Sequence, residues 1–360
     1  MKRREFIAKS TTGTLGIGLA GCSTGGPKKR PLYRDLSPFT PRPRGGTMPM
    51  AELGNTGMKI SRLTFGSHIR AEMTDKYHER EYMIHEAYDL GVNVFDVYDE
   101  EKGSSKEPCM QYEPLGRQIA PFKNDVFVSI SFRPYDGRTP DQELERDLRL
   151  FGKDCIDLCR ILRPPENPIW ETLFRYKEKG YIRAIGAPVH DMENIDMLLG
   201  KVPLDYILMP YNFYHSICWL GDEPNEYDSV PAQIRQYGIE VFTMKPFGGD
   251  YLVKPFINFA RDFTSEPEIT FPQASLRYIL NSGIDAKTTF TGMYNLSDLY
   301  ENVAAFYHPK ISHEESELLK NIKDTAVNQP RVVSSLLPDH YKFLENWVPN
   351  RDNNQTLDTA

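Results

Sequence analysis

Cysteine is scarce, at five in 360 residues. No close, even set of spacings joins them, so a small disulfide-stapled scaffold is excluded. Cys155 and Cys159 fall on one expected strand, where strand rise separates their Cα atoms by about 13 Å, too far for a bridge. Basic residues are outnumbered, 43 against 50, for a net charge of -7, and no basic stripe recurs beyond the N-terminus. Nucleic acid is therefore a poor partner. The most apolar early stretch, Thr11 to Ala20, falls short of the roughly 20 residues that span a bilayer. Metal-ligand spacings are absent too: His313, Glu314 and Glu315 stand together without forming HExxH, so no metal site is expected.

The remaining composition is that of a folded protein, 40% apolar and 26% charged. Residues 1–21 read as an export signal rather than as part of the fold. Arg3 and Arg4 precede Phe6 and a weakly apolar stretch, which ends in Leu19, Ala20, Gly21 and Cys22. That quartet resembles the lipobox of bacterial lipoproteins, which implies lipidation at Cys22. The paired arginines resemble a twin-arginine signal, which implies export of an already folded chain; an ordinary secretory signal with chance arginines is the alternative. Gly16, Gly18 and Gly21 match GxGxxG, but no strand precedes them and they lie inside the signal, so they carry no cofactor role. Residues 22–49 form a tether rich in proline, glycine and basic residues, without helix or strand signals. Beside a lipid, its positive charge suits anionic headgroups. The expected location is the periplasm or cell envelope.

From about residue 50, β-like runs alternate with helical ones. Expected strands are 60–66, 92–97, 126–131, 155–162, 182–186, 206–209, 240–243 and 288–291. The helix expected over 141–151 places Leu144, Leu148 and Phe151 on one face. Another, over 170–179, is stopped by Gly180. Eight strand–helix units predict a (β/α)₈ TIM barrel with an N-terminal β-hairpin over residues 50–330, followed by an extension over 331–360. A doubly wound sheet is the alternative.

Six stretches, in order, resemble the aldo/keto reductase superfamily: Leu53 to Gly66, Ala87 to Asp96, Asp157 to Pro164, Trp170 to Gly186, Met244 to Gly249, and Thr291 to Asn302. The resemblance implies carbonyl reduction with NADPH. In that family a tyrosine donates the proton, a lysine paired with an aspartate lowers the tyrosine's pKa, and a histidine orients the carbonyl. Asp96 matches the aspartate. The tyrosine position is Glu101, with Tyr98 nearby; the lysine position is Ser131 and the histidine position Leu162. The side chains that hold the nicotinamide carboxamide align with Pro188, Val189 and Leu208, none of which can donate through its side chain.

The phosphate and adenine positions are better kept. They are Lys245, Pro246, Phe247, Gly248 and Gly249 on one loop, Gly292 on the next, and Glu301 and Asn302 on the helix after it. Within the chain, Arg160 lies two before Leu162 and points inward with it, which makes Asp96 its expected partner, with Ser131 between them in strand order. Arg160 then either takes part of the missing lysine's role or is a structural ion pair. Arg133, His68 and His215 are further polar groups near the mouth. Asp99, Glu100 and Glu101 form an acidic run there. Tyr211, Phe213, Tyr214 and Trp219 suit ring stacking if exposed and packing if buried. Three functions follow: an exported NADP-dependent oxidoreductase with altered catalytic groups, a non-catalytic barrel that binds a small ligand or partner, or a repurposed lyase or hydrolase that uses the acidic run.

Overall fold

A computed structural model describes residues 40–66, 77–97, 112–134, 137–190, 192–213, 224–247, 270–293 and 295–328. Two antiparallel strands, β1 (Met50–Leu53) and β2 (Met58–Ser61), come first. Gly57 turns between them at φ 71°, a left-handed conformation that suits glycine. Eight parallel strands then close on themselves: β3 (Leu63–Phe65), β4 (Val94–Val97), β5 (Phe127–Ser131), β6 (Ile156–Arg160), β7 (Ile182–Pro188), β8 (Tyr206–Pro210), β9 (Glu240–Met244) and β10 (Thr288–Thr291). β10 pairs with β3 on one side and β9 on the other, so the sheet has no edge.

The run 60–66, expected as one strand, is two elements. Arg62 divides them: its N–H donates to Pro49 in the hairpin and its carbonyl accepts from Thr289 in the barrel. Helices α1 (Tyr77–Asp89), α2 (Tyr112–Ile119), α3 (Pro140–Phe151), α4 (Ile169–Glu178), α5 (Met192–Leu198), α6 (Pro224–Gln236), α7 (Phe271–Asn281), α8 (Leu296–Tyr307) and α9 (His313–Asn328), with short 3₁₀ turns at Gly54–Thr56 and Ala120–Phe122, complete the described elements. α3 starts on a capping box, in which the Thr139 side chain accepts from Gln142 N and the Gln142 side chain accepts from Thr139 N. Among the described residues no helix is long and apolar enough to cross a membrane.

The hairpin stops one end of the barrel. Leu53, Met58 and Ile60 pack with Val94, Tyr206 and Phe242 in a single buried cluster. Because β2 leads directly into the start of β3, this is the end where strands begin. Tyr206 stacks on Phe242 at 4.4 Å, and Phe242 meets Phe290 at 6.0 Å. Gly186 lets the Tyr206 ring lie against β7, since a Cβ there would stand 2.3 Å from the ring. With this end filled, polar groups collect toward the ends of the strands.

Candidate active site

Strand alternation turns Asp96 on β4 and Arg160 on β6 into the same interior. Arg160 Nη1 donates to Asp96 Oδ1 at 2.5 Å and Nη2 to Oδ2 at 3.1 Å. Both residues are buried. The two-pronged geometry fixes the guanidinium plane as a lysine cannot. The expected pairing is therefore present, and a serine hydroxyl joins it. Ser129 Oγ accepts from Arg160 Nη1 at 2.7 Å. The reason is stagger between strands: Asp96 is level with Ser129, while Arg160 is level with Ser131. The long arginine reaches back across that offset to the aspartate and meets Ser129 beside it. Its Cζ stands 5.7 Å from the centre of the Phe290 ring, within cation–π range. Beneath the pair, the Tyr206 hydroxyl is buried with no hydrogen-bond partner. Burial pushes that phenol well up, against the opposing effect of Arg160.

Leu162, at the histidine position, is half-buried just past β6. The loop that follows is fastened by Trp170, whose Nε1 donates to the Pro164 carbonyl at 3.0 Å. At the carboxamide positions Pro188 ends β7 half-buried, and Val189 and Leu208 are buried. None of these three side chains can donate a hydrogen bond.

The opposite side of the mouth is polar. Lys245 follows β9 with φ 55°, a left-handed backbone unusual for a residue with a Cβ. Asn212, fully buried, donates from Nδ2 to the Lys245 carbonyl at 3.3 Å. Sequence reasoning missed Asn212, because nothing local to it signals a contact 33 residues away. Pro246 and Phe247 are buried behind Lys245, and Gly292 lies half-buried after β10 with no atom within 4 Å of where a Cβ would be. Glu301 and Asn302 sit on the buried side of α8. Burial pushes the Glu301 carboxyl up, and a hydrogen bond from the Thr270 side chain opposes this. Asn302 Nδ2 is buried without a partner, which fits an amide held ready for a nucleobase acceptor. The residues present thus suit the adenine and phosphate end of a dinucleotide better than its carboxamide end.

Tyr98, Gly248, Gly249, Cys22, His68, His215 and the acidic run at 99–101 lie outside the described residues. Of the aromatic run, Tyr211 and Phe213 are buried, against Tyr278 and Phe271 respectively, and so serve packing; Tyr214 and Trp219 lie outside. Arg133 is half-buried beyond β5. Among the described residues no group of three or more His, Cys, Asp or Glu side chains is placed to hold a metal. A groove of about 620 Å³ lies along α3 and the two residues Gly137 and Arg138 that lead into it. Two arginines that line it, Arg138 and Arg146, are committed to the buried Glu143 at 2.5 and 2.7 Å.

The family model described as "Aldo/keto reductase family" matches residues 63–324. Among solved structures, the chain is similar to the aldo-keto reductase AKR11C1 from Bacillus halodurans. In its holo form the TM-score is 0.58 at 19% identity, over 76% of this chain and 96% of that one. In its apo form the TM-score is 0.57 at 18% identity, with the same coverage. No curated protein sequence matches. The match over most of the chain's length, on a closed eight-stranded barrel with its floor stopped by a hairpin, shows that the chain belongs to the aldo/keto reductase family.

Proposed function

We propose that this protein is an NADP-dependent oxidoreductase that acts on a carbonyl or hydroxyl group of a small molecule, with Arg160 in the place of the family's lysine. The observation that carries the reading is the two-pronged Arg160–Asp96 pair. It keeps a permanent cation beside the family's aspartate after the lysine and histidine positions have become Ser131 and Leu162. NADPH, when bound, supplies the hydride. Lys245, with the glycines at 248 and 249, would hold its phosphates, and Glu301 and Asn302 its adenine. Arg160 gives the reduced oxygen a positive field as charge develops on it. We assign the proton to Tyr98, two residues beyond Asp96. Arginine stays protonated across the working range, so the pH profile should report the phenol and not the cation.

Titrating the purified chain with NADPH tests the reading. A saturable change in cofactor fluorescence is expected, with Tyr98→Phe slowing turnover by about 10²–10⁴-fold. Absence of saturation would sink it. One observation favours a second reading, a barrel that binds a ligand without catalysis: the apolar wall of Pro188, Val189 and Leu208. Under that reading a small ligand raises the melting temperature while no carbonyl compound oxidises NADPH.

The proposal extends to location. Residues 1–21 act as an export signal, and Cys22 carries a lipid that holds the chain at the envelope. Labelled palmitate should enter the parent chain and not Cys22→Ser; equal labelling of both would remove the anchor.

A further inference from the structure

Residues 40–49 form no helix or strand, yet they are fixed along the flank of the barrel. The Thr40 N–H donates to Ser297 Oγ at 2.8 Å, in the first turn of α8. Gly46 lies against Tyr307 at the far end of the same helix, so closely that a Cβ would stand 2.4 Å from the tyrosine's own. Met48 then reaches Gly91, past the end of α1, where a Cβ would come within 3.0 Å of its side chain. The segment therefore runs the length of α8, on the side where α8 meets α1.

An ion pair joins it to that junction. Arg42 Nε donates to Glu86 Oε1, and Tyr300 Oη donates to the same oxygen at 3.3 Å. Glu86 is on α1 with its side chain only 9% exposed, and Tyr300 is on α8. Burial, then Glu86, pushes the Tyr300 phenol up to about 12, so it stays a neutral donor. The hydrogen bond to Glu86 raises Arg42 in turn. Arg42 thus neutralises a carboxylate enclosed between two helices. The two residues that follow Tyr300 are Glu301 and Asn302.

We propose that Arg42 is a positioning residue for the adenine end of the cofactor site. It seats α8 by neutralising Glu86, and through α8 it sets Glu301 and Asn302. The inference rests on the NADP reading above. Arg42 is half-exposed and lies over Glu86, so without it Glu86 loses both its counter-ion and its cover. Either water enters between α1 and α8 in place of the guanidinium, or the Glu86 side chain turns outward and leaves Tyr300. Both outcomes move the helix that carries the adenine positions.

The experiment compares the full-length chain with Arg42→Ala, Arg42→Lys and Arg42→Ala combined with Glu86→Gln. NADPH affinity is read by fluorescence titration and the seating of α8 by hydrogen exchange over residues 301–306. Arg42→Ala should weaken NADPH binding by about tenfold, a change of about 1.4 kcal/mol, and speed exchange in α8. Arg42→Lys should retain most of the affinity. The double variant should recover both readouts, because a neutral glutamine needs no counter-ion. Arg42→Ala that melts earlier but binds NADPH as the parent does would overturn the positioning role alone. A parent chain that binds no NADPH would overturn the cofactor reading, and this role with it, whichever way exchange moves.

Discussion

Arg160 and Asp96 are the residues on which the site stands. Each is buried, and each satisfies the other. Removing one partner of such a pair leaves a charge without compensation, which costs about 3–5 kcal/mol. Arg160→Ala should therefore lose that much stability in urea denaturation, while Arg160→Met combined with Asp96→Leu should recover most of it. A single variant as stable as the parent would contradict the burial described here. The Tyr206 hydroxyl lies deeper and has no partner. Tyr206→Phe deletes a buried, unsatisfied group, so it should be neutral or stabilising, within about 1 kcal/mol; a loss of several would mean that the hydroxyl is bonded after all. The pairing of Arg160 with Asp96 could be read in the sequence because inward positions recur every second residue of a strand. The contact of Arg160 with Ser129 could not, because it depends on how far neighbouring strands are offset, and the hydrophobic pattern does not record that offset.

Glu301 gives the residue scale its pH dependence. Burial raises its carboxyl in the folded chain above the ordinary value near 4.5. The folded state then holds a proton that the unfolded state releases. Its contribution to stability is full below the unfolded pKa and is lost as pH climbs through the folded one. Parent stability should fall with rising pH across that window more steeply than in Glu301→Gln, as read by denaturant midpoints from pH 4 upward. Parallel curves for the two proteins would refute the shift.

At the scale of elements, α7 links structure to site through a single side chain. Thr270 caps it by accepting from Gln273 N at 3.4 Å, and the same residue bonds to Glu301. Thr270→Val removes both interactions. It should cost about 1–2 kcal/mol for the cap, and NADPH binding should weaken further than this loss of stability explains. If affinity is unchanged, Thr270 is a cap and no more. Elements with strong local signals were legible in the sequence: α3 and α4 lie within a residue or two of their expected bounds, since a capping threonine and a terminal glycine mark their ends. The run at 60–66 misled because hairpin and barrel strands share one alternating pattern, and only the change of partner at Arg62 separates them. The fixing of residues 40–49 by Arg42 and Glu86 was equally invisible, because the two lie 44 positions apart.

At the scale of the molecule, the order of six short stretches carried more information than any one of them. Each is common alone, whereas their succession at barrel spacing is not. Function was less legible for the same reason: the barrel tolerates replacement at its strand ends, so kinship and chemistry separate. A cofactor that binds only the folded chain must stabilise it by mass action, about 2.7 kcal/mol at a hundredfold excess over its dissociation constant. The melting temperature should therefore climb with NADPH concentration and level off for Asn302→Leu. A melting temperature indifferent to NADPH would favour the non-catalytic barrel.

The hairpin beneath the barrel has a kinetic consequence. With Leu53, Met58 and Ile60 plugging one end, the barrel can be approached along its axis only from the other. Whatever touches the guanidinium must come in from above and go out the same way. Two molecules that share such a passage cannot trade places freely: the deeper one has to arrive before the other and depart after it. Initial-rate and product-inhibition patterns should accordingly reveal a compulsory sequence rather than a random one.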